Sequence, residues 1–295
     1  MKKLICALIT CSNLIWCIGS MSNTVQAVEI AQGICGESCT WSLDADGVLT
    51  ISGSGKMENY KDFHNPWRDN SYYVEKIVVE EGITEIGKNA FCCLTDVIEI
   101  SFPTSLTVIN NNACMRLAIT ELDCPENLIE IGDSSFYGCN DLETVHLNEG
   151  LQYIRAEAFE VPGTDRLQSL YIPPSVIEVG EMAFGYIAAK IPEAVIIPDK
   201  NRTIIGYEGT AAEAYANSVG LQFESLGNLC GDMNGDKIVD VFDLAMIKRY
   251  VTSPQKSSID FSRVDLNKDG MVDVDDIVML NDFLHGKRTV LSEEN

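Results

Sequence analysis

The sequence predicts two structural units in tandem: a solenoid of short stacked strands over residues 74–226, then a small all-α module carrying two acidic loops. Three observations support this. An apolar pattern recurs between Val74 and Phe184 with anchors 23, 22, 23 and 25 residues apart. A twelve-residue acidic segment near the C-terminus is repeated 33 residues later. The chain, at 295 residues, is long enough to hold both units, each with its own core.

The first residues have the makeup of an export signal. Lys2 and Lys3 precede a largely apolar run, Leu4 to Ile18, and Val25-Gln26-Ala27 offers a small-residue cleavage site. This predicts a secreted protein with a signal peptide over residues 1–27. No later apolar run is long enough to span a bilayer, so no membrane span is expected in the mature chain. A formal net charge of −23 argues against nucleic acid as a partner, because no basic surface is left to displace phosphate counterions.

Residues 28–73 are expected to cap the repeats. Trp41-Ser42-Leu43 and Val48-Leu49-Thr50-Ile51 alternate around Asp46-Gly47, which predicts a hairpin with a tight turn.

Each repeat opens with an apolar-x-x-apolar-x-apolar strand: Val74-Ile77-Val79, Val97-Ile100-Phe102, Ile119-Leu122-Cys124, Leu142-Val145-Leu147 and Leu167-Leu170-Ile172. A second apolar box follows, at Ile83–Ile86, Leu106–Ile109, Leu128–Ile131, Leu151–Ile154 and Val176–Val179. An anchor then closes each unit: Phe91, Cys114, Phe136, Phe159 and Phe184. The period is that of leucine-rich repeats, in which no unit buries its apolar side alone and stacked neighbours share one core. The Ile-Gly-x-x-Ala-Phe wording, clearest at Ile86 to Phe91 and Val179 to Phe184, resembles the BspA-like leucine-rich repeats of bacterial surface and secreted proteins. The pattern departs at Cys114, and again after Val161, where Pro162-Gly163-Thr164-Asp165 lengthens a turn.

Thr210 and Glu213 form the sequence signature of a capping box ahead of an alanine-rich helix that ends near Gly220. Leu221 and Phe223 follow as a last strand. Only Gly227-Asn228-Leu229 then separates the array from Cys230, so the next module is expected to lean on the last repeat.

That module starts with the acidic loops. Asp232, Asn234, Asp236, Ile238, Asp240 and Asp243 occupy positions 1, 3, 5, 7, 9 and 12 of the first, and Asp265, Asn267, Asp269, Met271, Asp273 and Asp276 those of the second. Hard oxygen donors at these intervals, with a backbone carbonyl at position 7, describe the EF-hand calcium loop. Crowded carboxylates repel unless a cation sits among them, so two calcium ions are expected to fold with the loops. Position 12 is Asp in both, one methylene shorter than the usual Glu. Position 6 is Gly270 in the second loop but Lys237 in the first, where Gly235 comes two residues early.

An amphipathic helix leaves each loop, with Leu244, Ile247, Tyr250 and Val251 at helical spacing in one and Ile277, Leu280, Phe283 and Leu284 in the other. Neither loop has a substantial entering helix. Calcium loop plus exiting helix, duplicated, resembles the type I dockerin of cellulosomes, here over residues 227–295. The whole chain is thus expected to be a leucine-rich-repeat solenoid (α+β) followed by a small all-α dockerin with two EF-hand-like calcium loops.

The resemblance implies a cohesin module of a scaffoldin as partner. It places the contacts at loop positions 10 and 11 and on the exiting helix: Val241, Phe242, Lys248 and Arg249 in one half, Val274, Asp275, Asn281 and Asp282 in the other. The halves differ here, an apolar pair flanked by cations against a mostly acidic set, so one binding orientation through the first half is expected. The repeats are left to bind an unnamed protein or glycan, in the setting of plant polysaccharide degradation.

Catalysis finds little support. His64, His146 and His285 are the three histidines, and none lies at a nucleophile motif. His146 falls between the core residues of a repeat strand and should point outward. The competing readings are a dockerin-bearing hydrolase acting on glycosidic bonds and a cell-surface adhesin. Of the eleven cysteines, Cys6, Cys11 and Cys17 lie in the signal, while Cys35, Cys39, Cys92, Cys93, Cys114, Cys124, Cys139 and Cys230 remain. Most sit where a repeat wants a small buried apolar residue, which predicts reduced thiols, with Cys35 and Cys39 the one local pair open to bridging.

Overall fold

The computed structural model describes residues 29–61, 64–161, 166–188, 196–252, 261–285, 287 and 291. The export signal and the Pro162–Asp165 turn lie outside the described residues.

The predicted hairpin is present. Strands Cys39–Asp44 and Val48–Gly53 pair antiparallel, and Asp44 Oδ1 accepts the backbone N–H groups of Asp46 and Val48, each at 2.9 Å. Gly47 supplies the left-handed turn residue, with φ of 80°. A further strand, Glu29–Ile34, pairs antiparallel with Cys39–Asp44 and was not expected. It is an edge strand whose Ile30 and Ile34 face solvent, so it carries no alternating core signal.

On its other side, Val48–Gly53 pairs in parallel with Lys76–Val79, so the cap feeds directly into the repeats. The first box of each repeat then forms a short strand, Lys76–Val79, Glu99–Ser101, Glu121–Asp123, Thr144–His146 and Ser169–Tyr171, with Thr203–Gly206 and Gln222–Ser225 extending the array. The second boxes align as a six-stranded parallel ladder from Gly55–Lys56 to Glu178–Val179. A third connection runs along the anchors. The N–H groups of Phe91, Cys114, Phe136 and Phe159 donate to carbonyls of the next repeat at 2.7 to 2.9 Å. Two residues before each anchor the chain is left-handed, at Asn89, Asn112, Ser134, Glu157 and Met182, with φ between 53° and 56°. The tight turn thus recurs in every unit although no glycine marks it.

All five anchors are fully buried. Phe136 and Phe159 stack with centroids 5.5 Å apart. Trp67 ends the aromatic row on the N-terminal side, stacked on Phe91 at 5.6 Å with its indole N–H donating to the Ala90 carbonyl. At the other end Tyr215 of helix α1 (Ala211–Val219) donates to the Phe184 carbonyl and accepts from its N–H. Where Cys114 replaces phenylalanine, Cys139 fills part of the space and donates to the Cys114 carbonyl. All eight described cysteines are free thiols, Cys35 and Cys39 included. Burial drives the Cys114 thiol well above the ordinary range, as expected of a packing residue.

The capping box of α1 does not form as the sequence signature predicts. Thr210 is the N-cap, but its hydroxyl donates to the Tyr207 carbonyl, and Glu213 instead accepts from the Gly209 N–H, one residue early. The turn Gly206–Gly209 offers a carbonyl within reach of Thr210, and this local bond wins over the cap. Gly220 ends the helix in the left-handed conformation, as predicted.

The connection to the second module is held by backbone bonds from Leu226 to Gly206 and from Glu208 to Gly227. Helices α2 (Val241–Thr252) and α4 (Val274–Leu284) pack together, with the short α3 (Phe261–Val264) between them in sequence. Leu244, Ile247, Val264, Leu266, Met279, Leu280 and Leu291 form the core they share.

Candidate metal centre and docking surface

The two acidic loops share one hydrogen-bond scheme except at position 1, whose carboxylate accepts from positions 4 and 6 in the first and from positions 5 and 6 in the second. In the first, Asp232 accepts the N–H groups of Gly235 and Lys237, Asn234 accepts that of Asp236, and Asp236 accepts that of Ile238. In the second, Asp265 accepts from Asp269 and Gly270, Asn267 from Asp269, and Asp269 from Met271. Position 12 closes each loop. Asp243 takes the N–H groups of Met233, Asn234 and Asp240, and Asp276 those of Leu266, Asn267 and Asp273. Aspartate is long enough for this duty, because the first helical turn already brings the carboxylate under the loop.

The glycine mismatch between the loops resolves in the backbone. Positions 4 and 6 are left-handed in both: Gly235 and Lys237 at 77° and 72°, Lys268 and Gly270 at 57° and 87°. Each loop has one glycine for two left-handed positions and uses it at a different one. Lys237 therefore holds the conformation at a cost of about 1 kcal/mol, without changing the loop.

The donor set suits calcium. Every converging side-chain donor is oxygen, as a hard divalent cation requires, and Asp232, Asp243 and Asp276 are buried. Burial pushes the Asp243 carboxyl above its usual range; its three N–H partners oppose the shift and the charge of Asp232 adds to it. Arg263 of α3 also reaches Asp232 Oδ2, at 3.4 Å, a contact that no spacing in the sequence announces.

The outward faces differ. In the first half Val241 is 64% and Phe242 68% exposed, so Phe242 is not a packing residue, and Lys248 and Arg249 stand exposed two helical turns on. In the second half Val274 and Asp275 are exposed, but Asn281 and Asp282 are half-buried, and Asp282 accepts from Lys287 Nζ at 3.2 Å. The outward faces also expose apolar residues not expected there: Ile238 and Met246 in the first half, Met271 and Val278 in the second. Ile238 and Met271 share position 7, which an EF-hand loop uses through its backbone carbonyl, so the side chain has no place in the ligand set and here is exposed. That position was the available signal.

A cleft of about 530 Å³ separates the first loop from the end of the solenoid, lined by Asp236, Lys237 and Ile238 on one side and by Ile177, Ala214 and Tyr215 among others on the opposite side. Among the described residues no helix is long and apolar enough to cross a membrane.

Residues 69–190 match the family described as BspA type leucine rich repeat region, in six copies, and residues 230–285 match the dockerin type I domain. No curated protein matches the chain. Among solved structures, a leucine-rich repeat protein from Eubacterium ventriosum is similar at 14% identity, covering 67% of this chain and 85% of that one, with a TM-score of 0.26. A leucine rich cell surface protein from Faecalibacterium prausnitzii is similar at 18% identity, covering 63% of this chain and 66% of the other, with a TM-score of 0.33. The pneumococcal vaccine antigen PcpA is similar at 16% identity, covering 66% and 70%, with a TM-score of 0.37.

Proposed function

Because the chain joins a BspA-type leucine-rich-repeat region to a type I dockerin domain, we propose that it is a secreted, non-catalytic component of a cellulosome-type assembly. Two calcium ions, held by Asp232, Asn234, Asp236, Ile238, Asp240 and Asp243 and by Asp265, Asn267, Asp269, Met271, Asp273 and Asp276, hold the dockerin folded. The dockerin docks to a cohesin module of a scaffoldin, while the repeats bind a protein or glycan in the course of plant polysaccharide degradation. In this reading residues 1–27 are the signal peptide, 28–73 the cap, 74–226 the repeats with their C-terminal cap, and 227–295 the dockerin.

The observation that carries the proposal is the duplicated loop, closed in each half by a buried aspartate at the start of a helix whose opposite side is left exposed. Metal and partner then have separate faces. Calcium organises the inner one, and the cohesin meets Val241, Phe242, Lys248 and Arg249 on the outer one, with Val274, Asp275, Asn281 and Asp282 as the weaker alternative. The test is titration of the full chain with a panel of type I cohesin modules, in calcium and in excess chelator. Binding to at least one module in calcium, abolished by chelation, is the expected result; binding that is unchanged by the chelator would overturn the calcium-dependent mechanism.

A further inference from the structure

The outward face of the repeat strands carries a second group of metal-ligating side chains, unrelated to the calcium loops. Glu121 and Asp123 alternate with buried Leu122 on one strand, and His146 follows buried Val145 on the next. The two strands pair in parallel with Asp123 opposite His146 and Glu121 opposite Thr144. Register and pleat together therefore point all three side chains to one side. One donor atom from each lies within 4.8 Å of the other two, and His146 Nε2 is 3.3 Å from Glu121 Oε1.

The charge around this group is uneven. Neighbouring acids are matched by cations: Glu99 by Lys76, Glu143 and Asp141 by Arg166, and Glu130 and Glu178 by Arg155. Among the described residues no lysine or arginine pairs with Glu121 or Asp123, and the group beside Glu121 is the His146 imidazole. Two carboxylates and one imidazole on adjacent strands make a three-ligand set with a position left open. Calcium favours six to eight oxygens, whereas an imidazole nitrogen suits zinc and its neighbours.

We propose that Glu121, Asp123 and His146 bind a zinc-class divalent cation on the strand face of the solenoid. Three protein ligands leave the fourth coordination position to water or to a donor group of whatever the repeats hold. The site is independent of the docking reading, since it uses neither the acidic loops nor their helices.

The test is calorimetric titration of the calcium-saturated full chain with zinc chloride, wild type beside His146→Ala and Asp123→Asn. All three positions are exposed, so the variants keep the fold, which circular dichroism checks. The wild type should take up one zinc ion that both variants bind at least tenfold more weakly, a loss that even outer-shell changes produce at metal sites. Equal zinc stoichiometry and affinity in the wild type and His146→Ala, or no uptake by the wild type, would overturn the site.

Discussion

The two halves of the C-terminal module share their inner face and differ on their outer one. Inside, each position-12 aspartate takes three backbone N–H groups at corresponding positions, and both loops turn left-handed at positions 4 and 6. Outside, the repeat puts Asp275 at the position of Phe242, Asn281 at that of Lys248 and Asp282 at that of Arg249. An ion imposes one geometry on any loop that holds it, whereas a partner surface constrains only the half that meets it. The duplication is thus preserved where calcium is expected and lost where a protein is.

The largest effect should come from the shared inner face. Asp276→Ala removes a buried carboxylate that three N–H groups depend on, and each such charge-assisted bond is worth about 1.5–3 kcal/mol. Calcium stoichiometry of the full chain, read by calorimetry, should fall from two to one in Asp276→Ala and equally in Asp243→Ala. If one variant keeps both ions, the halves are not equivalent inside. The outer face comes next. Phe242→Ala with Arg249→Ala should weaken cohesin binding by about 2 kcal/mol, roughly thirtyfold, as loss of an exposed aromatic anchor and its cation does. Asp275→Ala with Asn281→Ala should change it less than threefold. Equal losses from both pairs would restore symmetry and remove the single orientation. The smallest effect belongs to Lys237→Gly, which relieves a left-handed lysine in the first loop and should stabilise that half by about 1 kcal/mol. Lys268→Gly should do the same in the second half. Calcium-loaded urea melts of the helical signal would read both, and a destabilised Lys237→Gly would contradict the strain assignment.

A parallel contrast separates what the sequence shows from what it hides. The repeats were legible because every unit must place Ile77, Leu122, Val145 or their equivalents in one continuous core, which forces a period on the chain. The loops were legible because an acidic or amide side chain recurs at positions 1, 3, 5, 9 and 12 of each, a spacing that the size of an ion would set. The edge strand Glu29–Ile34 was not, since its isoleucines face outward and leave no apolar alternation in the sequence. Nor were the recurrent left-handed turns, which Asn, Ser, Glu and Met all occupy, so that no residue type announces them. The displaced contacts of Thr210 and Glu213 show the remaining limit: a motif names the groups able to bond, and the geometry of the preceding turn decides which bonds form.

We propose that calcium folds the C-terminal module while the repeats hold themselves together. Hydrogen exchange on the full chain, with and without a strong chelator, tests it most directly. Chelation should strip protection from residues 241–252 and 274–284 and leave the strand amides of residues 76–206 protected. Helices that stay protected in the chelator would contradict calcium-dependent folding.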